Sequence, residues 1–422
     1  MTGGDPTGGG GADRGSDGGA DIDTDDSVRS HLRSTISEAL EARDAVAFVH
    51  AGSEADPAIR YCWSRRGAVA IAFDGQEWLI DAAANASTHP AERLASRLAE
   101  RVESTLVLTP ARIPHDAALY LETAGFELAS TDVIDAARAT KTATECERIA
   151  AVQAAASAGI RSGASLLADA VGDDGRLVAD GRPVTPERLR TAIDEAIVSA
   201  GAFPAGNTVV NPDPGHTPSS RDAGDDTGTE IGKENESERE NENENETRTG
   251  TGTGTEPTDH NDSALRPGEP IVLEATPRGP DGYYGSLVRT LVVDGDGGRE
   301  RRAHVGVTQS FQSARAMLTA DTESVTRVEA DLEAEVRAFG FGEGEDVRTR
   351  VAGVGLEPRE RPLEGGDQIE PGSVVRLESA VHVADGQWLR IADLLVKGET
   401  GERPELFEGP SRSLEPTALL ED

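Results

Sequence analysis

The sequence of 422 residues contains very little lysine and few aromatic residues. Lysine occurs only at Lys141, Lys233 and Lys397, so that nearly all of the 41 basic residues are arginines, against 77 acidic residues and a formal net charge of -36. Since nucleic acids and anionic membranes are contacted through clustered Lys and Arg, this charge argues against both as partners. The acidic excess is typical of proteins that stay soluble in strong brine, where salt screens surface charge.

Cysteine is also scarce, and no apolar run approaches the roughly 20 residues that a membrane-spanning helix needs. Cys62 and Cys146 lack the spacing of a metal site, which indicates two reduced, buried thiols. The chain opens MTGGDPTGGG, without the basic and then apolar pattern of a secretory signal. We therefore expect a cytoplasmic protein that does not bind membranes.

Two segments lack the apolar side chains that a packed core requires. Residues 1–26 are almost entirely Gly, Asp, Thr and Ser, and residues 217–262 form an acidic stretch of short repeats with essentially one aliphatic residue, Ile231. Such compositions cannot offset the entropy lost on ordering. We predict a disordered tail at 1–26 and a disordered acidic insertion at 217–262, and we assign residues 411–422 to a short C-terminal tail.

Strand-like and helical runs alternate between residues 27 and 135. In chain order they read as an amphipathic helix, three strands, a helix and a strand, at residues 28–44, 45–51, 67–73, 77–82, 95–104 and 105–110. Interleaved helices and strands at this spacing predict an α/β domain over 27–135.

From residue 136 to about 410, helices precede strands that are mostly linked as hairpins. One helix is predicted over 142–170, and a second begins at Thr185, followed by Pro186 and Glu187, which is favourable chemistry for a helix start. After the insertion come strand-like runs and one long helical run over 310–341. This grouping predicts an α+β domain over 136–410, interrupted by the insertion.

Eight motifs occur in a fixed order along the chain: the helix from near Lys141 with Glu147, NPDPGH ending at His216, LRPGEPIVLEA, GYYGSLVRTLV, the helix near Val325, GVGLEPRERP, EPGSVVRLESAV and WLRIADLLV. Together with the order of the elements, they resemble the motifs of the pita-bread metallopeptidases, the family of prolidase, aminopeptidase P, methionine aminopeptidase and creatinase. The resemblance spans about residues 28–400. It implies a creatinase-type α/β N-terminal domain followed by an α+β pita-bread domain.

In active members of this family, two divalent metal ions are held by two Asp, one His and two Glu. The family motifs place the five ligand positions at Glu274, Ser286, Ala352, Glu378 and Ala392. Two of the five carry a carboxylate, whereas Ser and Ala cannot replace a carboxylate or an imidazole at a shared metal site. The resemblance therefore implies that the metal-activated water needed for attack on a peptide carbonyl is lost.

Three further positions face substrate in the family and are candidates for a ligand cleft. His216 matches a substrate-side His, with His260 as a rival alignment. Arg359 stands where the family has a second His, and Glu360 keeps the carboxylate that follows it.

Glu274 and Glu378 leave two interpretations open. They could form a relocated site for one weakly held ion with His382, which projects from a strand to the same face as Glu378. Alternatively, they are partly buried carboxylates held by arginines such as Arg289 or Arg390, which is the interpretation that we favour.

We predict a prolidase-like homologue without a metal cofactor or peptidase activity, which binds a peptide, a small ligand or a protein. The alternative is an active Xaa-Pro dipeptidase or aminopeptidase that uses Mn, Co or Zn, and two carboxylates out of five ligand positions disfavour it. A third hypothesis is a structural subunit, either a homodimer or a partner of an intact paralogue, which the dimer role of the N-terminal domain in the family implies.

Overall fold

The computed structural model describes residues 25–63, 65–82, 88–220, 264–342, 346–363 and 365–421. The predicted N-terminal tail, except its last two residues, and the predicted insertion beyond residue 220 lie outside this part of the chain. The chain divides into two units, the first ending at Arg138 and including Thr142–Thr144, and the second comprising Ala139–Lys141 and everything from Glu145 onward.

The first unit alternates helices and strands. Its elements are α1 (Asp26–Arg43), β1 (Ala47–Gly52), α2 (Pro57–Cys62), β2 (Val69–Phe73), β3 (Trp78–Ala82), α3 (Pro90–Ala99), β4 (Leu106–Pro110), α4 (His115–Thr123), β5 (Glu127–Thr131) and α5 (Val133–Ala139). The strands form one mixed sheet in the order β3-β2-β1-β4-β5. Neighbours β1, β4 and β5 are parallel, whereas β1, β2 and β3 pair antiparallel. This arrangement confirms the predicted α/β class of the N-terminal region.

Helix α1 shows how the sequence specifies this unit. The Asp25 side chain accepts a hydrogen bond from the amide of Ser27 and so caps the helix start, and the buried residues Val28, Leu32, Ile36 and Leu40 recur every four positions. One face of α1 is therefore apolar and packs inward.

The second unit contains most of the chain. Its elements are α6 (Ala143–Ala168), β6 (Val171–Asp173), β7 (Arg176–Ala179), β8 (Arg182–Pro183), α7 (Pro186–Ser199), β9 (Thr208–Val210), β10 (Ile271–Ala275), β11 (Leu287–Leu291), α8 (Arg299–Met317), β12 (Glu323–Ser324), α9 (Val325–Ala338), β13 (Val347–Gly353), β14 (Gln368–Ile369), β15 (Val374–Ala384), β16 (Gln387–Val396), β17 (Glu405–Leu406) and a 3₁₀ turn at Pro416–Leu419.

Seven of these strands form one antiparallel sheet in the order β13-β15-β16-β11-β10-β9, with β17 beside β16. Helices α6 and α7 pack on apolar residues of β10 and β11, such as Leu273 and Leu287. Helices α8 and α9 pack on those of β13, β15 and β16, such as Val351, Leu377 and Ile391. Because strand side chains alternate, the even-numbered residues of β10, β11, β13, β15 and β16 lie on the face of the sheet opposite these helices.

The long helical run predicted at 310–341 is two helices, α8 and α9, and α8 begins earlier, at Arg299. The break has a local cause. The Ser324 hydroxyl accepts a hydrogen bond from the Arg327 amide and caps α9, while Glu323 and Ser324 pair with Ile369 and Gln368 as a short strand.

The C-terminal segment assigned as a tail, residues 411–421 in the described part of the chain, packs against strands and loops of the second unit. The carbonyl of Ser411 accepts a hydrogen bond from Arg289, the amide of Val292 donates to Leu414, and Leu419 is buried. An ion pair between Arg412 and Asp393 adds to these contacts.

Candidate functional site

The five positions that the family motifs single out lie together on the sheet face opposite α6–α9. Strand register places Glu274 opposite Val288, Val288 opposite Ala392, and Ala392 opposite Glu378. Directly opposed residues point to the same face, as do residues two apart on one strand. Ser286 therefore joins Val288 on this face, and Ala352 joins it opposite Arg376. We call these five positions, together with Arg376 and Arg390, the site face.

Ser286 is held by neighbours that have no catalytic chemistry. Its hydroxyl lies 3.0 Å from the hydroxyl of Thr276, and its amide donates to Oε1 of Gln153 over 2.8 Å. The preceding Gly285 allows this approach, since a Cβ there would lie 2.9 Å from backbone atoms of Val152 and Gln153 on α6. Ser286 is buried within a hydrogen-bonded junction between helix and sheet.

Ala352 and Ala392 are buried and supply no ligand atoms. Ala392 packs with Val272 and Val288 in a small apolar cluster. Ala352 stands opposite Arg376, whose side chain is 3 % exposed. The two alanines therefore contribute only small apolar side chains to the site face.

Arg376 and Arg390 bind both carboxylates of the site face. Arg376 Nη2 lies 3.0 Å from Glu274 Oε1 and 3.2 Å from Glu378 Oε2. Arg390 Nη1 lies 3.2 Å from Glu274 Oε2, and its Nε donates to Glu378 Oε1 over 3.1 Å, with Nη2 in contact with the same oxygen. The four side chains are at most 4 % exposed. We call these four residues the buried cluster.

Electrostatics favour the charged forms of Glu378 and Arg390 in the buried cluster. Burial alone would raise the pKa of Glu378, but the charges of Arg376 and Arg390, a hydrogen bond from Arg390 and the charge of Arg350 lower it below its ordinary value. Burial alone would lower the pKa of Arg390, but Glu378 and Glu274 raise it. Each charge is therefore stabilised by its partners rather than by water.

His382 is not brought to these carboxylates. Its ring contacts Trp388, with centroids 5.3 Å apart, and its Nδ1 lies 3.3 Å from Asp346, next to a register shift in β15. Across the described residues, no three His, Cys, Asp or Glu side chains are grouped so as to hold a metal ion. Glu274, Glu378 and His382 thus do not form the single-ion site that the sequence left open.

Arg289, the other arginine proposed from the sequence to hold the glutamates, lies on the opposite face. Its Nη2 donates to Asp393 over 2.7 Å, and the second oxygen of Asp393 accepts from Arg412. Burial alone would raise the pKa of Asp393, but these two arginines lower it. The structure therefore assigns Arg390, and not Arg289, to the pair of glutamates.

The three cleft candidates have different surroundings. Glu360 is buried and accepts a hydrogen bond of 2.7 Å from Lys141 Nζ, which is also buried. The carbonyl of His216 accepts from Arg350 over 3.1 Å, and its ring is half-buried. Arg359 is half-buried too, and burial together with the like charges of Arg350 and Arg376 lowers its pKa. Glu360 is thus committed to an internal ion pair, whereas His216 and Arg359 lie at the edge of the site face.

Sequence reasoning missed Arg376, Arg350 and the burial of Lys141. The available signal was the parity of residue numbers, since Arg376 lies two positions before Glu378 on a strand and so shares its face. Their partners are distant in the chain, 102 residues away in the case of Arg376 and Glu274. Strand register, which the sequence did not supply, was needed to find them.

Comparison with known proteins adds to this geometry. Residues 231–399 match the model of Metallopeptidase family M24. No curated protein sequence matches the chain. Among the described residues, no helix has the length and apolar character needed to cross a membrane.

Solved structures share the fold at low sequence identity. Prolidase from Pyrococcus horikoshii OT3 is 14 % identical, with a TM-score of 0.61, covering 91 % of this chain and 99 % of that one. X-Pro aminopeptidase from Thermotoga maritima MSB8 is 14 % identical, with a TM-score of 0.63 and coverage of 90 % and 99 %. The N-terminal domain of FACT complex subunit SPT16 from Cicer arietinum is 12 % identical, with a TM-score of 0.58 and coverage of 92 % and 98 %. The resemblance predicted from the sequence is confirmed: residues 231–399 match Metallopeptidase family M24, and the chain has an N-terminal α/β domain followed by the pita-bread fold.

Proposed function

We propose that this chain is a prolidase-like homologue that binds a ligand and does not hydrolyse peptides. The observation that carries the proposal is the buried cluster. At the five positions where the family places metal ligands, the two remaining carboxylates are bound by Arg376 and Arg390. Both oxygens of Glu274 and Oε1 of Glu378 already accept hydrogen bonds from these guanidinium groups, and Glu378 Oε2 lies 3.2 Å from Arg376 Nη2.

The residues of the site face do not fit a pair of divalent cations. Hard divalent ions need several oxygen ligands, and the positions at Ser286, Ala352 and Ala392 offer no carboxylate or imidazole. Two guanidinium groups lie within 3.2 Å of the remaining carboxylates, and their positive charges would also repel divalent metal cations. Without a bound metal ion to activate water, the hydrolytic chemistry of the family has no support in these residues.

The fold is compatible with a function other than peptide hydrolysis. Folds host unrelated activities, so that a function has to be argued from the site. One of the solved structures with this fold is named as part of a subunit of the FACT complex, and not as a peptidase. An active Xaa-Pro dipeptidase would require metal ligands that this site face does not present.

Hydrolysis assays test the proposal. The unmodified protein, supplied with Mn²⁺, Co²⁺ or Zn²⁺, is expected not to cleave Xaa-Pro dipeptides. The variant Ser286→Asp/Ala352→His/Ala392→Glu/Arg376→Ser should bind metal, because it returns three ligands and removes one guanidinium. The matched triple variant that keeps Arg376 should bind metal more weakly. Turnover by the unmodified protein that a chelator abolishes would contradict the proposal.

We also propose the salt conditions, the cellular location and the assembly state in which this protein works. The net charge of -36 supports a protein adapted to high salt. A cytoplasmic location also remains proposed, and assembly either as a homodimer or with an intact paralogue follows from the sequence resemblance. Size measurement in strong KCl solution would test the assembly directly.

A further inference from the structure

Four arginines of the second unit converge where residues 403–412 pack against helix α8. We call them the arginine group: Arg289, Arg315, Arg403 and Arg412. The carbonyl of Pro404 accepts a hydrogen bond of 3.0 Å from Arg315 Nη2, and the guanidinium carbon of Arg412 lies 5.0 Å from the ring centroid of Phe311. Phe311 and Arg315 are about one turn apart on α8 and so share a face of the helix. A strongly acidic chain therefore concentrates positive charge at this place.

One carboxylate, that of Asp393, serves the arginine group. Its Oδ1 lies 2.7 Å from Arg289 Nη2, and its Oδ2 accepts a hydrogen bond from Arg412 Nε. The other donors of Arg289 are bound to backbone carbonyl oxygens. Both oxygens of Asp393 are thus in use, and four positive charges surround one negative charge.

Arg315 and Arg403 form no ion pair with any residue that the structure describes. Arg315 Nε is buried and makes no hydrogen bond in the described part of the chain. Burial, then the like charges of Arg412 and Arg403, lower the pKa of Arg315, and the charge of Asp393 opposes this shift only in part. Arg403 is exposed. Since arginine stays charged at ordinary pH values, these two side chains carry charge that Asp393 does not balance.

Arg412 also keeps hydrogen-bond donors for a ligand. Its Nε is bound to Asp393, whereas Nη1 and Nη2 make no hydrogen bond to any described protein atom. The side chain is held in place by Phe311, and its backbone carbonyl lies 2.8 Å from His304 Nε2. Buried N–H groups are usually hydrogen-bonded, so that the buried Nε of Arg315 near the open donors of Arg412 indicates a negatively charged acceptor.

We propose that Arg315, Arg403 and Arg412 bind a phosphoryl group, either as inorganic phosphate or as part of a phosphate monoester. Guanidinium groups bind such oxyanions through paired N–H donors. A phosphate monoester carries about -1.5 to -2 charges at pH 7, and so it balances more of the positive excess than one carboxylate does. The inference goes beyond the proposed function, because none of these residues belongs to the site face.

Phosphorus-31 NMR with simple probes tests this assignment on the full chain. Inorganic phosphate and methyl phosphate are titrated with protein at pH 7 and constant KCl concentration, and trimethyl phosphate serves as the uncharged probe. Both anions should give a saturable change of their signal, and trimethyl phosphate should give none. Tighter binding of methyl phosphate would identify a monoester as the ligand, whereas tighter binding of inorganic phosphate would identify the free ion; both results support the site.

Substitutions of the arginines sharpen the test. Arg315→Gln should weaken phosphate binding by about tenfold or more, and Arg315→Lys should weaken it less, because the charge is kept. Arg403→Gln should weaken binding by about threefold to fivefold, since Arg403 is exposed and contributes charge without a buried donor. Because Arg403 has no ion pair among the described residues, its loss tests binding without disturbing the packing.

Arg327→Gln is the matched control. The Arg327 side chain is 68 % exposed on α9 and pairs with Glu323 one helical turn away, so the variant removes one positive charge outside the arginine group. It should leave phosphate binding unchanged. Arg403→Gln and Arg327→Gln should both keep the melting temperature of the unmodified protein within a few degrees, which separates loss of binding from loss of folding.

Four results would overturn the proposal. They are no saturable signal from either phosphate anion, an equal signal from trimethyl phosphate, phosphate binding that Arg403→Gln leaves intact, and acetate that displaces phosphate at equal concentration. If Arg315→Gln lowers the melting temperature, the result for Arg403→Gln decides. None of these outcomes bears on metal binding or peptide hydrolysis at the site face, so the proposed function is tested separately.

Discussion

The two faces of the seven-stranded sheet handle buried charge differently. On the face covered by helices, Asp393 lies between Arg289 and Arg412 among apolar residues. On the site face, Arg376 and Arg390 bind Glu274 and Glu378, with further arginines at the edge. The first arrangement attaches the C-terminal segment to the sheet, whereas the second pairs arginines with Glu274 and Glu378, two of the positions to which the sequence resemblance assigns metal ligands.

This difference shows which residues can be substituted without loss of the fold. Odd-numbered strand residues such as Leu273 and Leu377 build the apolar cores, and they keep the helices in place. Even-numbered residues such as Ala352 and Ala392 face away from those cores. Substitution on the site face can therefore remove one chemistry while the apolar cores continue to specify the fold.

The largest expected effect comes from Arg390→Met. Arg390 is fully buried, and its loss leaves Glu274 and Glu378 short of positive charge. We expect a loss of about 3–5 kcal/mol in the free energy of unfolding at neutral pH. The loss should shrink as the pH falls from about 7 to about 5, because the uncompensated carboxylates become protonated. Urea unfolding across this pH range is the measurement.

Leu377→Ala is the control on the other face of the sheet, on the neighbouring strand β15. Leu377 is fully buried in the apolar core, and its truncation should cost about 2–5 kcal/mol. That cost should not depend on pH, because no titratable group loses a partner. A pH-independent loss in Arg390→Met would contradict the electrostatic role of the buried cluster.

An intermediate effect is expected from Asp393→Asn on the helix-covered face. The pKa of Asp393 is lowered in the folded protein, so its contribution is present above the unfolded value of about 3.9 and is lost as the pH falls through the lower folded value. We expect the variant to be less stable than the unmodified protein by about 2–3 kcal/mol at pH 7. Acid unfolding curves should converge below about pH 4; a constant gap would argue against the ion pairs.

Salt concentration is expected to change the stability of the protein by less, per charged residue, than the substitutions above. The excess of exposed acidic residues should make stability rise between about 0.1 M and about 2 M KCl, as counter-ions screen their repulsion. The cost of Arg390→Met should change little over the same range, because the buried cluster is shielded from solvent. Thermal unfolding of both proteins at several KCl concentrations provides the check, and equal stability at low and high salt would contradict adaptation to brine.

Much of the fold could be predicted because hydrophobic patterns are local. The runs around Val69 and Ile271 became strands, and α6 closely follows its predicted range. The break before α9 was missed, although Ser324 is a good N-cap, because the helical pattern resumes immediately after it. A local pattern predicts which elements form better than where one ends and the next begins.

The site could be predicted in part because the motifs fix positions along single strands. Glu274 and Glu378 were correctly expected to be held by Arg390. Pairing of Arg376 with both glutamates could not be predicted, since it depends on the register among β10, β15 and β16. The face of Arg289 could have been predicted from its odd spacing relative to Ser286, which directly precedes β11.

Metal content measured on the unmodified protein, purified and held at high KCl without chelator, tests the central claim most directly. Elemental analysis is run after incubation with excess Mn²⁺, Co²⁺ or Zn²⁺ and removal of unbound ions. We predict no stoichiometric metal, because Arg376 and Arg390 already bind both site-face carboxylates. Two metal ions per chain would contradict the account and would support an active metallopeptidase instead.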